Sequence, residues 1–160
     1  GEVLDVVSLD LPEQTLTTTA VAYTVEPSTL RRWGVEERDW PGSLHAAEHA
    51  AIGMLPLIAT CDRWDIGGVS TALHQDTGLP TVFVYDGYPG GAGFAECGYR
   101  RFHEWITATA EAVAHCECEN GCPSCVQSPK CGNGNEPLDK AGAVRVLRGL
   151  ESLGREALEA

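Results

Sequence analysis

Apolar positions along the chain follow two rhythms. The first belongs to extended chain. VLDVVSL (residues 3–9) is rich in valine, and TLTTTAVAYTV (residues 15–25) alternates with period two; Leu11-Pro12-Glu13-Gln14 marks a turn between them. RWDIGGVSTALHQDTGLP (residues 63–80) is cut by Gly67-Gly68 and Gly78-Leu79-Pro80, which predicts loops around one short strand. TVFVYD (residues 81–86) is a continuous apolar run, the pattern of a strand buried on both faces.

The second rhythm is helical. Leu44, Ala47, Ala51, Leu55 and Ile58 share one face of a helix predicted from Ser43 to Thr60, with Ser43 as its N-cap and Pro56 kinking its end. After the glycine-rich turn GYPGGAG (residues 87–93), Phe94, Cys97, Phe102, Trp105, Ile106 and Val113 cover about half of a helix from Phe94 to His115. A last helix follows Asn135-Glu136-Pro137, with Pro near N1 and a stripe of Ala143, Val146, Leu147, Leu150, Leu153 and Ala157. The polar connector at residues 27–42 has room for one helical turn. Together these elements predict an α/β or α+β fold. It is one compact unit over residues 1–160, with a mixed sheet, three main helices and a metal-stapled loop between the last two helices.

Length agrees with one domain, since 160 residues can bury a real core. Charge changes the picture more. Lys and Arg number 11 against 23 Asp and Glu, a net charge of −12, so a surface that grips nucleic acid mainly through phosphates is excluded. The basic residues cluster only locally, in Arg31 to Arg38, Tyr99 to Arg101 and Val144 to Arg148. No apolar run reaches membrane length and no signal peptide opens the chain, so a cytoplasmic, nucleoid-associated home is expected. The start inside a strand-like run, without Met, reads as a piece of a longer protein.

Five of the seven cysteines crowd into Cys116, Cys118, Cys122, Cys125 and Cys131. In a reducing compartment, such a cluster reads as metal ligands before disulfides. The Cys122-Pro123-Ser124-Cys125 knuckle supplies two thiolates from one tight turn and is the firmest pair. Cys116 and Cys118 complete a tetrahedral set, and Cys131 is able to substitute for either, because spacing alone does not choose four from five. A rubredoxin-like iron or an iron–sulfur cluster is the alternative occupant. Four thiolates close the coordination sphere, so one zinc here is structural. Cys61 and Cys97 stand alone and read as small core residues.

His115-Cys116-Glu117 with the Cys122–Cys125 pair imitates a base-deaminase signature, but only four residues separate the halves, and that chemistry needs them on separate helices. His45-Ala46-Ala47-Glu48-His49 places both histidines and Glu48 on neighbouring helix positions. Two readings stand for it: a metal-dependent hydrolase site, or a partly buried polar cluster hydrogen-bonded within itself or to nearby acids such as Asp62 or Asp65. Gly90, Gly91 and Gly93 offer backbone amides to a phosphate ahead of a helix. No Gly-Lys-Ser/Thr follows them, so this turn is no ATP-binding loop, and the chain alone has no catalytic motif for ATP.

Three phrases carry a family resemblance: HAAEHAAIGMLPLIATCDRWDIGG, VFVYDGYPGGAGFAE and CECENGCPSCVQSPKCGNGNEPLDK. They resemble the C-terminal zinc-binding domain of mitomycin repair factor A-type helicases, superfamily 2 DNA helicases with RecQ-like members. The resemblance runs from His45 to Leu147. It implies a non-catalytic accessory domain that follows two motor lobes of an ATP-dependent 3′–5′ DNA helicase of repair, braces them and helps guide single-stranded DNA. The family's tetracysteine motif maps onto Cys116, Cys118, Cys122 and Cys125 within a 115–135 module, and pushes His45, Glu48 and His49 toward a structural role.

Overall fold

The computed structural model describes residues 11–159. The strand expected at residues 3–9 lies outside the described residues. The chain runs β1 (Ala20–Thr24), α1 (Pro27–Arg32), α2 (Trp40–Met54), β2 (Ile66–Thr71), β3 (Thr81–Asp86), α3 (Phe94–Arg100), α4 (Phe102–Ala114) and α5 (Lys140–Glu159). Short 3₁₀ turns lie at Glu37–Asp39, Leu55–Leu57 and Arg63–Asp65.

The apolar run TVFVYD becomes the central strand of a three-stranded sheet in the order β1-β3-β2. Where a mixed sheet was expected, both pairings among the described strands are antiparallel, with Val21 opposite Val84 and Gly68 opposite Val84. The α+β form of the expected class is therefore the observed one.

Helix α2 packs between this sheet and the pair α4 and α5, and almost every residue from Gly42 to Ile52 is buried. A helix walled on both sides cannot keep a polar face in water, so the expected single stripe widens to its whole circumference. Small residues make that possible. Gly142 on α5 approaches Ser43 so closely that a Cβ there would stand 1.8 Å from Ser43 Oγ.

Four boundaries differ from the sequence expectation. Helix α2 starts at Trp40, with Pro41 at its first turn, so Ser43 lies inside it rather than capping it. Pro56 falls in the 3₁₀ turn that ends the helix. The helix expected from Phe94 to His115 breaks at Arg101, whose φ of −112° and ψ of 32° are not helical. There its guanidinium grips Glu104 at 2.8 and 2.7 Å and donates to the Ile58 carbonyl at 2.9 Å, which fixes the break against the end of α2. Finally, α5 is capped by Asp139, whose Oδ1 accepts from Gly142 N–H at 2.9 Å, and Pro137 stays outside the helix.

One core cluster joins Leu44, Ala47, Ile106, Val113, Val146 and Leu147; a second gathers Val21, Ile52, Leu55, Ile66, Val84 and Trp105 under the sheet. Each large apolar side chain so buried contributes about 1.5–3 kcal/mol. Leu153 belongs to neither and is 46% exposed, and the Ala157 side chain lies outside the described residues. Among the described residues, no helix is long and apolar enough to cross a membrane.

Candidate metal centre

The chain leaves α4 at Ala114 and turns straight into the cysteine loop. The Sγ atoms of Cys116, Cys118, Cys122 and Cys125 all lie within 4.8 Å of one another. The individual separations are 3.6 Å for Cys116–Cys118, 3.5 Å for Cys116–Cys122, 3.5 Å for Cys118–Cys125 and 3.8 Å for Cys122–Cys125. A tetrahedron with metal–sulfur bonds of about 2.3 Å demands sulfur–sulfur edges of about 3.8 Å. The residues fit a four-thiolate zinc. The knuckle is stiffened by the Cys122 N–H donating to Cys125 Sγ at 3.4 Å, and by Gly121, whose φ of 110° lets the chain turn.

Electrostatics favour thiolate here. Lys140, the first residue of α5, donates to the Cys116 carbonyl at 2.7 Å, to the Cys118 carbonyl and to Cys118 Sγ at 3.3 Å. Burial opposes ionisation of Cys118, but hydrogen bonds from Cys125, Cys116, Lys140 and Cys122 together outweigh it and bring its pKa down to about 6. Cys125 moves the other way, pushed up to about 12 chiefly by burial. Burial also works against the Lys140 ammonium, yet the hydrogen bond to Cys118 and the negative sulfurs around it raise its pKa overall. Lys140 escaped the sequence reading, although it closes the PLDK phrase.

Cys131 is not in this tetrahedron. Its sulfur stands 3.5 Å from His45 Nε2, in a second group with His49. The polar face of α2 is thus buried as expected, but not against acids. His45 Nδ1 donates to the Pro137 carbonyl and His49 Nδ1 to the Val126 carbonyl, each at 2.8 Å. Asp62 and Asp65 are instead engaged in a capping box of their own, with Tyr88 hydroxyl donating to Asp65. Burial lowers the His49 pKa, and burial raises that of Glu48, with Ser70 and His45 pulling it partly back.

The glycine turn is already occupied from within. Asp86, fully buried at the end of β3, accepts from the N–H groups of Ala92 (2.6 Å), Gly93 (2.9 Å) and Ala95 (2.8 Å). Gly90 and Gly91 donate to the carbonyls of Thr17 and Tyr88. The amides of Gly90, Gly91 and Gly93 therefore all have internal acceptors, and a carboxylate sits where a phosphate was expected. Gly91 is required here, since its φ is +87° and a Cβ would lie 2.5 Å from Thr19 Oγ1.

Several arginines of the local basic clusters are likewise matched internally, although Arg32 and Arg145 bond only a hydroxyl and a backbone carbonyl. Arg31 pairs with Glu37, Arg100 with Glu96, Arg101 with Glu104 and Arg148 with Glu151. Cys61 and Cys97 are half-buried against the sub-sheet core, as small residues there should be.

A closed four-thiolate staple on an α+β scaffold, with no motif for ATP, defines a structural zinc-binding domain. The chain belongs to the MrfA Zn-binding domain family, whose model matches residues 47–126. It is 39% identical over 114 residues to an uncharacterized protein of Methanocaldococcus jannaschii, covering 68% of this chain and 100% of that one. It is 35% identical to the uncharacterized ATP-dependent helicase YprA of Bacillus subtilis, covering 74% of this chain but 15% of the helicase. Among solved structures it is similar to the DUF1998 helicase MrfA bound to DNA, with TM-score 0.64, 30% identity, and coverage of 88% of this chain and 18% of that one. The chain thus spans about a sixth of the helicases it matches.

Proposed function

We propose that the chain is the non-catalytic zinc-binding domain of an ATP-dependent 3′–5′ DNA helicase of repair. Cys116, Cys118, Cys122 and Cys125 hold one zinc within the 115–135 module. The zinc supplies a rigid, closed cross-link, and the chain's own residues do the rest. Lys140 orients Cys118 and fixes the loop to α5, while α2 ties that helix to the sheet. The domain braces the motor lobes and helps guide single-stranded DNA in the full-length protein, in a cytoplasmic, nucleoid-associated setting. The carrying observation is the match to a DNA-bound helicase over 88% of this chain, with a family model whose matched residues 47–126 take in the four clustered cysteines. Internal pairing of several arginines and the net charge of −12 explain why the domain leaves most phosphate binding to the motor. The relatives YprA and MrfA are helicases, and nothing in them favours the metal-hydrolase reading of His45, Glu48 and His49.

The test uses the full-length helicase with Cys122→Ser and Cys125→Ser together. Duplex unwinding should fall at least tenfold while DNA-stimulated ATP hydrolysis by the motor persists, and the 160-residue chain alone should turn over no ATP. Full unwinding by that variant, at wild-type protein level, contradicts the bracing role.

A further inference from the structure

Two of the three residues in the second cluster, His45 and Cys131, fall outside the stretch matched by the family model, and the zinc staple makes no use of any of them. We propose that His45, His49 and Cys131 form a second metal site, for a thiophilic divalent ion of the zinc type, with one coordination position open to a cavity.

Geometry carries the proposal. The three ligand atoms lie within 4.8 Å of one another. A tetrahedral zinc with bonds of about 2.05 Å to nitrogen and about 2.3 Å to sulfur separates such a pair by about 3.6 Å. His45 Nε2 and Cys131 Sγ are 3.5 Å apart. Both imidazoles are also set in the tautomer that a metal needs. A carbonyl only accepts, so the Pro137 and Val126 carbonyls hold the protons of His45 and His49 on Nδ1 and leave each Nε2 with a bare lone pair. A backbone carbonyl behind each ring is the usual support of a metal-bound histidine.

The thiol is placed with equal care. Asn135 N–H donates to Cys131 Sγ at 3.3 Å, as Cys122 N–H does to Cys125 in the zinc staple. The Asn135 side chain closes the loop on Ser128 with bonds of 2.7 and 3.0 Å. Lys130 fastens the same loop to the carbonyls of Arg63, Trp64 and Ile66 at 3.1, 3.3 and 2.5 Å. A thiol hydrogen donated to His45 Nε2 would account for that one contact. It leaves out His49, one helical turn on, whose ring centroid lies 4.2 Å from that of His45 and which offers a ring nitrogen within 4.8 Å of the same sulfur.

Three protein ligands leave a fourth position. His45, Glu48, His49 and Cys131 all line a cavity of about 710 Å³ that also reaches Gly67 and Asn133. Water or a small anion fits that position, unlike the closed tetracysteine site. Metal here would fasten the Cys131 loop to α2 and so link two parts of the chain 86 residues apart.

The decisive measurement is metal content of the 160-residue chain equilibrated with buffered micromolar zinc. The wild type should hold two zinc ions, and Cys131→Ser and His45→Gln one each with unchanged circular dichroism. Cobalt added to chain carrying a single zinc should develop the visible bands of a tetrahedral ion with a near-ultraviolet thiolate charge-transfer band. Cys131→Ser should lose that charge-transfer band. A wild type that stays at one zinc and gives no tetrahedral cobalt spectrum overturns the proposal, whatever the variants do. So does a second equivalent retained by both variants.

Discussion

The two cysteine-containing clusters are built on opposite plans. The tetracysteine staple draws every ligand from the span between Cys116 and Cys125, on a loop that turns back on itself. The second cluster joins two residues of a buried helix to a sulfur 86 positions away. A local staple stiffens its own loop and needs little help from the fold, because closing a short span costs little chain entropy. A long-range cluster exists only after α2, β2 and the 128–135 loop have docked. The first site helps make the structure; the second is a product of it.

Breaking the local staple should therefore have the largest effect. Cys122→Ser with Cys125→Ser removes two of four thiolates, and site assembly in such domains contributes about 10–16 kcal/mol. Metal analysis should show loss of the staple zinc, and thermal melts should lose their cooperative transition. Stoichiometric zinc with an unchanged melt would falsify the assignment of ligands.

Packing comes next. Gly142→Ala forces a Cβ against Ser43 in the α2–α5 contact and should cost about 1–3 kcal/mol. Because the staple is local, zinc content should stay unchanged while the melting temperature falls. Loss of zinc along with stability would show that the two regions are not separable in this way.

Lys140→Met probes the staple's outer support. Removing an outer partner of a metal ligand typically weakens binding about 10–100-fold. Competition with a chelator should register that drop.

The smallest effect belongs to Glu48→Gln. Burial raises the Glu48 carboxyl above its ordinary value, so the unfolded chain ionises first as pH rises. Glu48 costs nothing below the unfolded value, and its penalty grows as pH climbs through the folded one. Without added zinc, the Gln variant should match the wild type near about pH 4 and be the more stable of the two by about pH 8. Melts at the two pH values check the sign.

What the sequence made legible follows the same division. TVFVYD and the cysteine phrase were readable because each carries its signal within a few residues. The start of α2 was misplaced because Trp40-Pro41 supplies a proline at the first turn, a cue that outweighed Ser43 as a cap. The circumference of α2 was underread because alanines and Gly42 look neutral in a hydrophobic stripe, yet they let helices pack from both sides. The Arg101 break and the Asp139 cap depend on side chains folding back on neighbours, which periodicity does not encode. The meeting of Cys131 with His45 needed the tertiary fold itself. Its sequence clues were a fifth cysteine left over from a set of four and a pair of histidines one helical turn apart.

Asp86 carries a consequence of another kind. With its carboxylate held by three amides, the protein brings its own counter-ion to the glycine turn and keeps foreign anions out. Emptied by Asp86→Gly, the same turn becomes a receptor: three aligned donors around a hole shaped for one carboxylate. Stranding those donors should lower the melting temperature, chiefly through the buried Ala95 amide, since a buried group left unpaired costs about 1–3 kcal/mol. Formate, small enough to enter and planar like the side chain it replaces, should restore part of the loss in a saturable way, and chloride should not.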